Sequence, residues 1–155
     1  MHPFELDTDR AKFDDVSVVA TLELSGPTDV GACRRALSKV AAGTWIGARI
    51  ADLVLVASEL ASNAIEHGSA PVRCRFLLSD ERAVLALFDA DPRPPKLHDE
   101  DGSSMPDERH RGLQMVEAVS DRCGYVVDAG RGKWVFAEWW SNGPPAPDLE
   151  IRVDD

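Results

Sequence analysis

The sequence predicts an α+β fold, a two-layer sandwich whose mixed, mostly antiparallel sheet carries its helices on one face. Three observations predict it. Stretches of strand and helix character follow one another as strand, two helices, hairpin, long loop, helix, hairpin, which is not the strict alternation of a doubly wound parallel sheet. Between positions 48 and 67, Ile50, Leu53, Val54, Ala57, Leu60, Ala61, Ala64 and Ile65 recur at helical spacing, so one helix has an apolar side to bury. Finally, 155 residues with 44% hydrophobic and 28% charged content suffice to bury one ordinary core without disulfides.

Each element has its own signal. "VSVVATLEL" (16–24) is β-branched and partly alternating, as in a strand. "SGPTD" breaks it and opens a helix, with Ser, Thr and Asp as caps and Pro27 in the first turn, running to about Gly43. The second helix, 48–67, ends where Gly68 stands as a C-terminal glycine. "PVRCRFLL" and "AVLALFDA" form a hairpin across "SDER", ending at Asp89. The Pro-rich, charged stretch 90–110 is expected to be a lid, since so long a loop in a compact domain is usually functional. "RGLQMVEAVSDR" reads as a short helix opened by Gly112, and "GYVVDAGRGKWVFAEWW" as a final hairpin. A lead-in (1–14), a domain (15–140) and a disordered acidic, Pro-rich tail (141–155) complete the division.

Charge and cysteines narrow the function. A net charge of -10 argues against nucleic-acid binding, which needs clustered Lys and Arg. Proteins and small molecules are the expected partners. Cys33, Cys74 and Cys123 are far apart and odd in number, which suits a reducing compartment. No signal-peptide layout and no apolar run of membrane-crossing length is present, so a cytoplasmic location away from membranes is expected. His67, His98 and His110 lack the close H-E-x-x-H spacing of a metal hydrolase.

The most informative stretch is "ELASNAIEHG" (59–68). Residues four apart on a helix drift only about 40° around its axis, so Glu59, Asn63 and His67 form one polar stripe. A carboxylate one turn from a carboxamide can orient a nucleophile while the amide oxygen meets a phosphate-bound Mg²⁺. His67 suits the negative end of the helix dipole. Asp89 ends a hydrophobic strand, where a carboxylate at a pocket floor can accept a bond from an exocyclic amine. The free amides of "RGLQMV" at a helix start suit phosphate.

These segments resemble the GHKL, or histidine kinase-like, ATPase superfamily over roughly 16–140, and in particular the stand-alone anti-sigma factor serine kinases of bacteria. The resemblance implies a Bergerat-type ATP-binding fold with ATP and Mg²⁺ as cofactors. It implies that Glu59 is the catalytic base, Asn63 the Mg²⁺ ligand, Asp89 the adenine-binding residue, and Arg111, Gly112 and Leu113 the phosphate box. The chain departs from the pattern at three places. "DADPRPP" puts Asp91 and Arg93 where D-x-G-x-G has glycines, His110 precedes R-G-L in place of glycine, and Lys133 follows Gly132 in place of threonine. His110 and Lys133 are counted with the nucleotide-binding residues. The implied function is an anti-sigma regulatory factor that sequesters a sigma factor and phosphorylates a serine or threonine of an antagonist protein, with homodimerisation expected from the family. The alternative is a nucleotide-sensing or purely protein-binding module of the same fold that transfers no phosphate.

Overall fold

The computed structural model describes residues 5–6, 15–95, 108–128 and 130–144, and of residues 5, 6 and 108–112 the backbone alone. Strand β1 (Glu5–Leu6) and β2 (Ser17–Leu24) are followed by α1 (Thr28–Ala41), a 3-10 turn (Trp45–Arg49) and α2 (Ile50–His67). Then come β3 (Val72–Leu78), β4 (Arg82–Asp89), α3 (Glu108–Val119), β5 (Arg122–Asp128) and β6 (Gly132–Trp140). The strands form one sheet in the order β1-β5-β6-β4-β3-β2, antiparallel throughout except that β1 pairs parallel with β5. This is the α+β sandwich the segment order predicts.

The two faces of the sheet follow from strand alternation. Ala83, Leu85 and Leu87 of β4 and Ala137 and Trp139 of β6 join the helices in the main core. Val84, Ala86 and Phe136 turn to the other face and form a smaller cluster with Val126. Helix α2 lies centrally, packed against α1, α3 and β4. Its buried residues, Leu53, Val56, Ala57, Leu60, Ala61 and Ala64, fall at the three- and four-residue steps of a single stripe. Val54, expected on that stripe, is only half-buried, because the buried side is centred nearer Val56.

Local sequence also explains the element ends. No side chain caps α1, whose N-cap is Pro27 itself; Asp29 in the first turn instead accepts the Ser25 N–H at 2.6 Å. The 3-10 turn was not visible in the pattern because long-range contacts hold it. Ile46 is fully buried, and Trp45 Nε1 donates to the Ser79 carbonyl at 2.7 Å. Helix α3 begins at Glu108, four residues before the Gly112 that the sequence reading placed at its start. An acidic residue suits that first position better than glycine does.

All three cysteines are free thiols. Cys33 Sγ donates to Cys74 Sγ at 3.5 Å in the core, and burial pushes the Cys123 thiol up to about 12. Trp139, fully buried, donates from Nε1 to the Val119 carbonyl at 2.9 Å, tying β6 to the last residue of α3. Trp139→Phe removes that donor, leaves the Val119 carbonyl with the Arg49 Nη2 bond at 2.9 Å alone and opens a cavity, so unfolding in denaturant should show a loss of about 1–3 kcal/mol. The expected lid (90–110) and the expected tail (141–155) lie largely outside the described residues.

Candidate functional site

The C-terminal ends of α2 and β4 meet at Gly68. This glycine ends the helix as expected, but with extended backbone, at φ -91 and ψ -166, rather than in the left-handed region usual for a C-terminal glycine. The residue type is required by space instead. A Cβ here would lie 2.6 Å from Asp89 Oδ1 and would overlap the Asp89 carboxyl carbon, as well as crowding the Ala64 carbonyl. Gly68 therefore lets the helix end close onto the carboxylate at the end of β4. Gly132 plays the matching part from β6, because a Cβ there would overlap the Asp89 carbonyl and lie 2.8 Å from Ala90 Cα.

Asp89 is 2% exposed, and its charge is compensated locally. Its register partner across β4 and β6 is Lys133, itself 6% exposed. Lys133 Nζ stands 3.1 Å from Oδ1 and 3.0 Å from Oδ2, and also donates to the Asp91 carbonyl at 2.8 Å. The Asp91 N–H donates to Asp89 Oδ1 at 2.8 Å and the Ser69 N–H at 3.4 Å. Burying two charges is tolerated here because each has hydrogen bonds besides the partner.

The next two residues form a second unit. Arg93 donates from Nε to both Asp91 oxygens at 3.0 Å and from Nη2 to Oδ2 at 2.6 Å. The bonded Arg93 guanidinium holds the Asp91 carboxyl well below the usual carboxylate range. Because the folded value is lowered, the pair's contribution is present above the ordinary carboxylate value and lost only as pH falls through the depressed one. The sequence showed these two residues only as departures from a glycine pattern; their pairing, two positions apart, is not deducible from periodicity.

A cleft of about 420 Å³ opens above these groups. Its polar lining includes Asn63, Glu66 and His67 of α2, Asp89 and Lys133 at the floor, and Arg93 on the outer side. Its apolar walls are Leu60, Leu87, Leu113 and Val135. Among the sequence candidates, Asn63, Asp89, Leu113 and Lys133 thus share one cleft. Glu59 is half-buried and does not line it. Each four-residue step climbs about 6 Å along the axis, and the cleft faces the last turns of α2. The side chains of His110, Arg111 and Gly112 lie outside the described residues, although their backbone belongs to α3. His67, assigned a helix-end role, lines the cleft and stands 3.5 Å from Glu66. Glu66 had no sequence signal beyond its place beside the stripe.

A family model for the histidine kinase-like ATPase domain matches residues 25–139, well over half of the chain. The chain belongs to that family. Among curated proteins, no match is found. The matched stretch spans α1 through all but the last residue of β6, and so includes every described residue that lines the cleft. Membership makes this an ATP-binding regulatory domain, with ATP as the cofactor class and Mg²⁺ its usual companion.

The residues fit such a group. The cleft is of ligand size, apolar on its walls, with a few convergent polar groups at its floor. Among the described residues, no group of three or more His, Cys, Asp or Glu side chains is placed to hold a metal. A Mg²⁺ ion here would therefore take most of its ligands from phosphates and water, with the Asn63 amide oxygen as one protein ligand. Among the described residues, no helix of this histidine kinase-like ATPase domain is long and apolar enough to cross a membrane.

Proposed function

We propose that this histidine kinase-like ATPase domain is an anti-sigma regulatory factor that binds ATP with Mg²⁺ and phosphorylates a serine or threonine of an antagonist protein. The observation that supports it is the convergence of Asn63, Asp89 and Lys133 on one cleft built over Gly68 and Gly132. Asp89 receives the exocyclic amine of adenine, and Asn63 offers its oxygen to the metal. The bound metal supplies neutralisation of the phosphate charge. Glu59, one turn back on α2, takes the proton of the substrate hydroxyl as its oxygen bonds to the γ-phosphorus and ADP leaves with the electron pair of the broken bond. Backbone amides of the first turn of α3, which begins at Glu108 ahead of Gly112, steady the phosphate oxygens.

A second reading has a specific observation in its favour. Glu59 stands outside the cleft, and the Asp91–Arg93 pair occupies family glycine positions, which suits a module that senses nucleotide and captures a partner without transfer. The test is incubation with candidate antagonist proteins, Mg²⁺ and ATP, read by mass. Under the leading reading the antagonist gains one phosphoryl group, and Glu59→Ala slows the gain by about 100-fold or more with ATP affinity within about twofold of wild type. Partner capture with unchanged mass would establish the second reading. Transfer by Glu59→Ala at the wild-type rate would remove Glu59 from the role of base.

A further inference from the structure

The ion pair at the cleft floor uses only part of its hydrogen-bonding capacity. Oδ1 of Asp89 takes three donors: the Asp91 N–H at 2.8 Å, Lys133 Nζ at 3.1 Å and, more weakly, the Ser69 N–H at 3.4 Å. Oδ2 stands 3.0 Å from Nζ as the ion-pair contact and accepts no other donor among the described residues. An ammonium carries three N–H groups. Among the described residues, Lys133 directs one to Oδ1 and one to the Asp91 carbonyl at 2.8 Å, so one is left over. The floor therefore presents one acceptor and one donor, side by side, at the bottom of a cleft walled by Leu60, Leu87, Leu113 and Val135.

This pattern selects a base. In a purine nucleotide the ribose leaves from N9, so the edge that can reach a floor is the one farthest from N9, carrying N1 and the group on C6. Adenine offers there one donor, the N6 amine, and one acceptor, N1. Guanine offers one acceptor, O6, and two donors, N1–H and the N2 amine. Against a floor with one acceptor, one guanine donor is buried unpaired, and apolar walls deny it water.

We propose that Lys133 is a base-reading residue: its remaining N–H donates to N1 of a 6-aminopurine while Asp89 Oδ2 accepts from the N6 amine, so that the cleft takes ATP and rejects GTP. The assignment rests on the ATP-binding reading and goes beyond it, because Lys133 here contacts the ligand as well as compensating Asp89. A purely structural Lys133 would hold Asp89 in place but be indifferent to the atom at ring position 1.

The experiment is calorimetric titration of the full chain, with Mg²⁺, against ATP, GTP and 1-deaza-ATP, in which a C–H replaces N1. Wild type should bind 1-deaza-ATP and GTP each about tenfold or more weakly than ATP. In Lys133→Met, shown to be folded by circular dichroism, the difference between ATP and 1-deaza-ATP should shrink to within about twofold. Equal wild-type affinities for ATP and 1-deaza-ATP would overturn the assignment while leaving ATP binding intact, and so would a deficit that persists undiminished in Lys133→Met. Should Lys133→Met fail to fold, the wild-type comparison decides alone. No binding of any of the three would overturn the ATP reading and this one together.

Discussion

Asp89→Ala is expected to weaken ATP binding by about 100-fold or more. Two losses combine. The variant removes the one floor acceptor that meets the amine of adenine, and a hydrogen bond to a charged group contributes about 1.5–3 kcal/mol. It also strips Lys133, only 6% exposed, of its counter-charge. A buried ammonium without a partner destabilises by about 3–5 kcal/mol and turns toward the solvent, dismantling the floor. Calorimetry reads the affinity, and thermal unfolding separates the second loss from the first. Asp89→Asn in a Lys133→Met background restores an uncharged floor; it should recover stability but not affinity. An Asp89→Ala protein that binds ATP within about threefold of wild type would displace Asp89 from the site.

Gly132→Ala is expected to cost more stability than Gly68→Ala. At Gly68 a new Cβ meets a side chain that has some freedom, the Asp89 carboxyl group, together with one helix carbonyl. At Gly132 it meets backbone: the Asp89 carbonyl and Ala90 Cα, with Phe88 Cζ also at 2.8 Å. Backbone cannot rotate aside. The β4–β6 ladder must open at the Asp89–Lys133 pair, or β6 must shift in register against both its neighbours. Overpacking of this kind costs about 2–3 kcal/mol, which for a domain of this size lowers the melting temperature by about 5–10 °C. ATP affinity should fall with it, since the same movement carries Asp89 and Lys133 apart.

The fold was legible where the signal is periodic. Helix α2 and the two hairpins are long, strongly patterned segments, and the structure places them within one or two residues of their expected ends. Elements that depend on a distant partner were not legible. Strand β1 is two residues long and exists through its pairing with Tyr125 and Val126, and the 3-10 turn rests on Ser79 and on the burial of Ile46. The site divides in the same way. Spacing put Glu59, Asn63 and His67 on one stripe, and the resemblance pointed to Asp89. Angular phase does not say how far along the helix axis the cleft extends, so Glu59 falls beyond its lining while Glu66 enters it. Pairings across strands, such as Lys133 with Asp89, depend on register, which a single strand does not reveal. Gly68 ends α2 as its place in the sequence predicts, and it also makes room for a carboxylate that arrives from 21 positions further along.

The central claim is that ATP occupies the cleft between the end of α2 and the end of β4. Amide NMR during titration with ATP and Mg²⁺ tests it most directly. The account predicts saturable shifts at Gly68, Ser69, Asp91, Leu113 and Lys133, with little change at Arg82, Arg122 and Trp140. These three lie around buried Glu138, at the opposite end of β4 and β6, about 20 Å away. No shift at millimolar ATP, or shifts gathered at that opposite end, would contradict it.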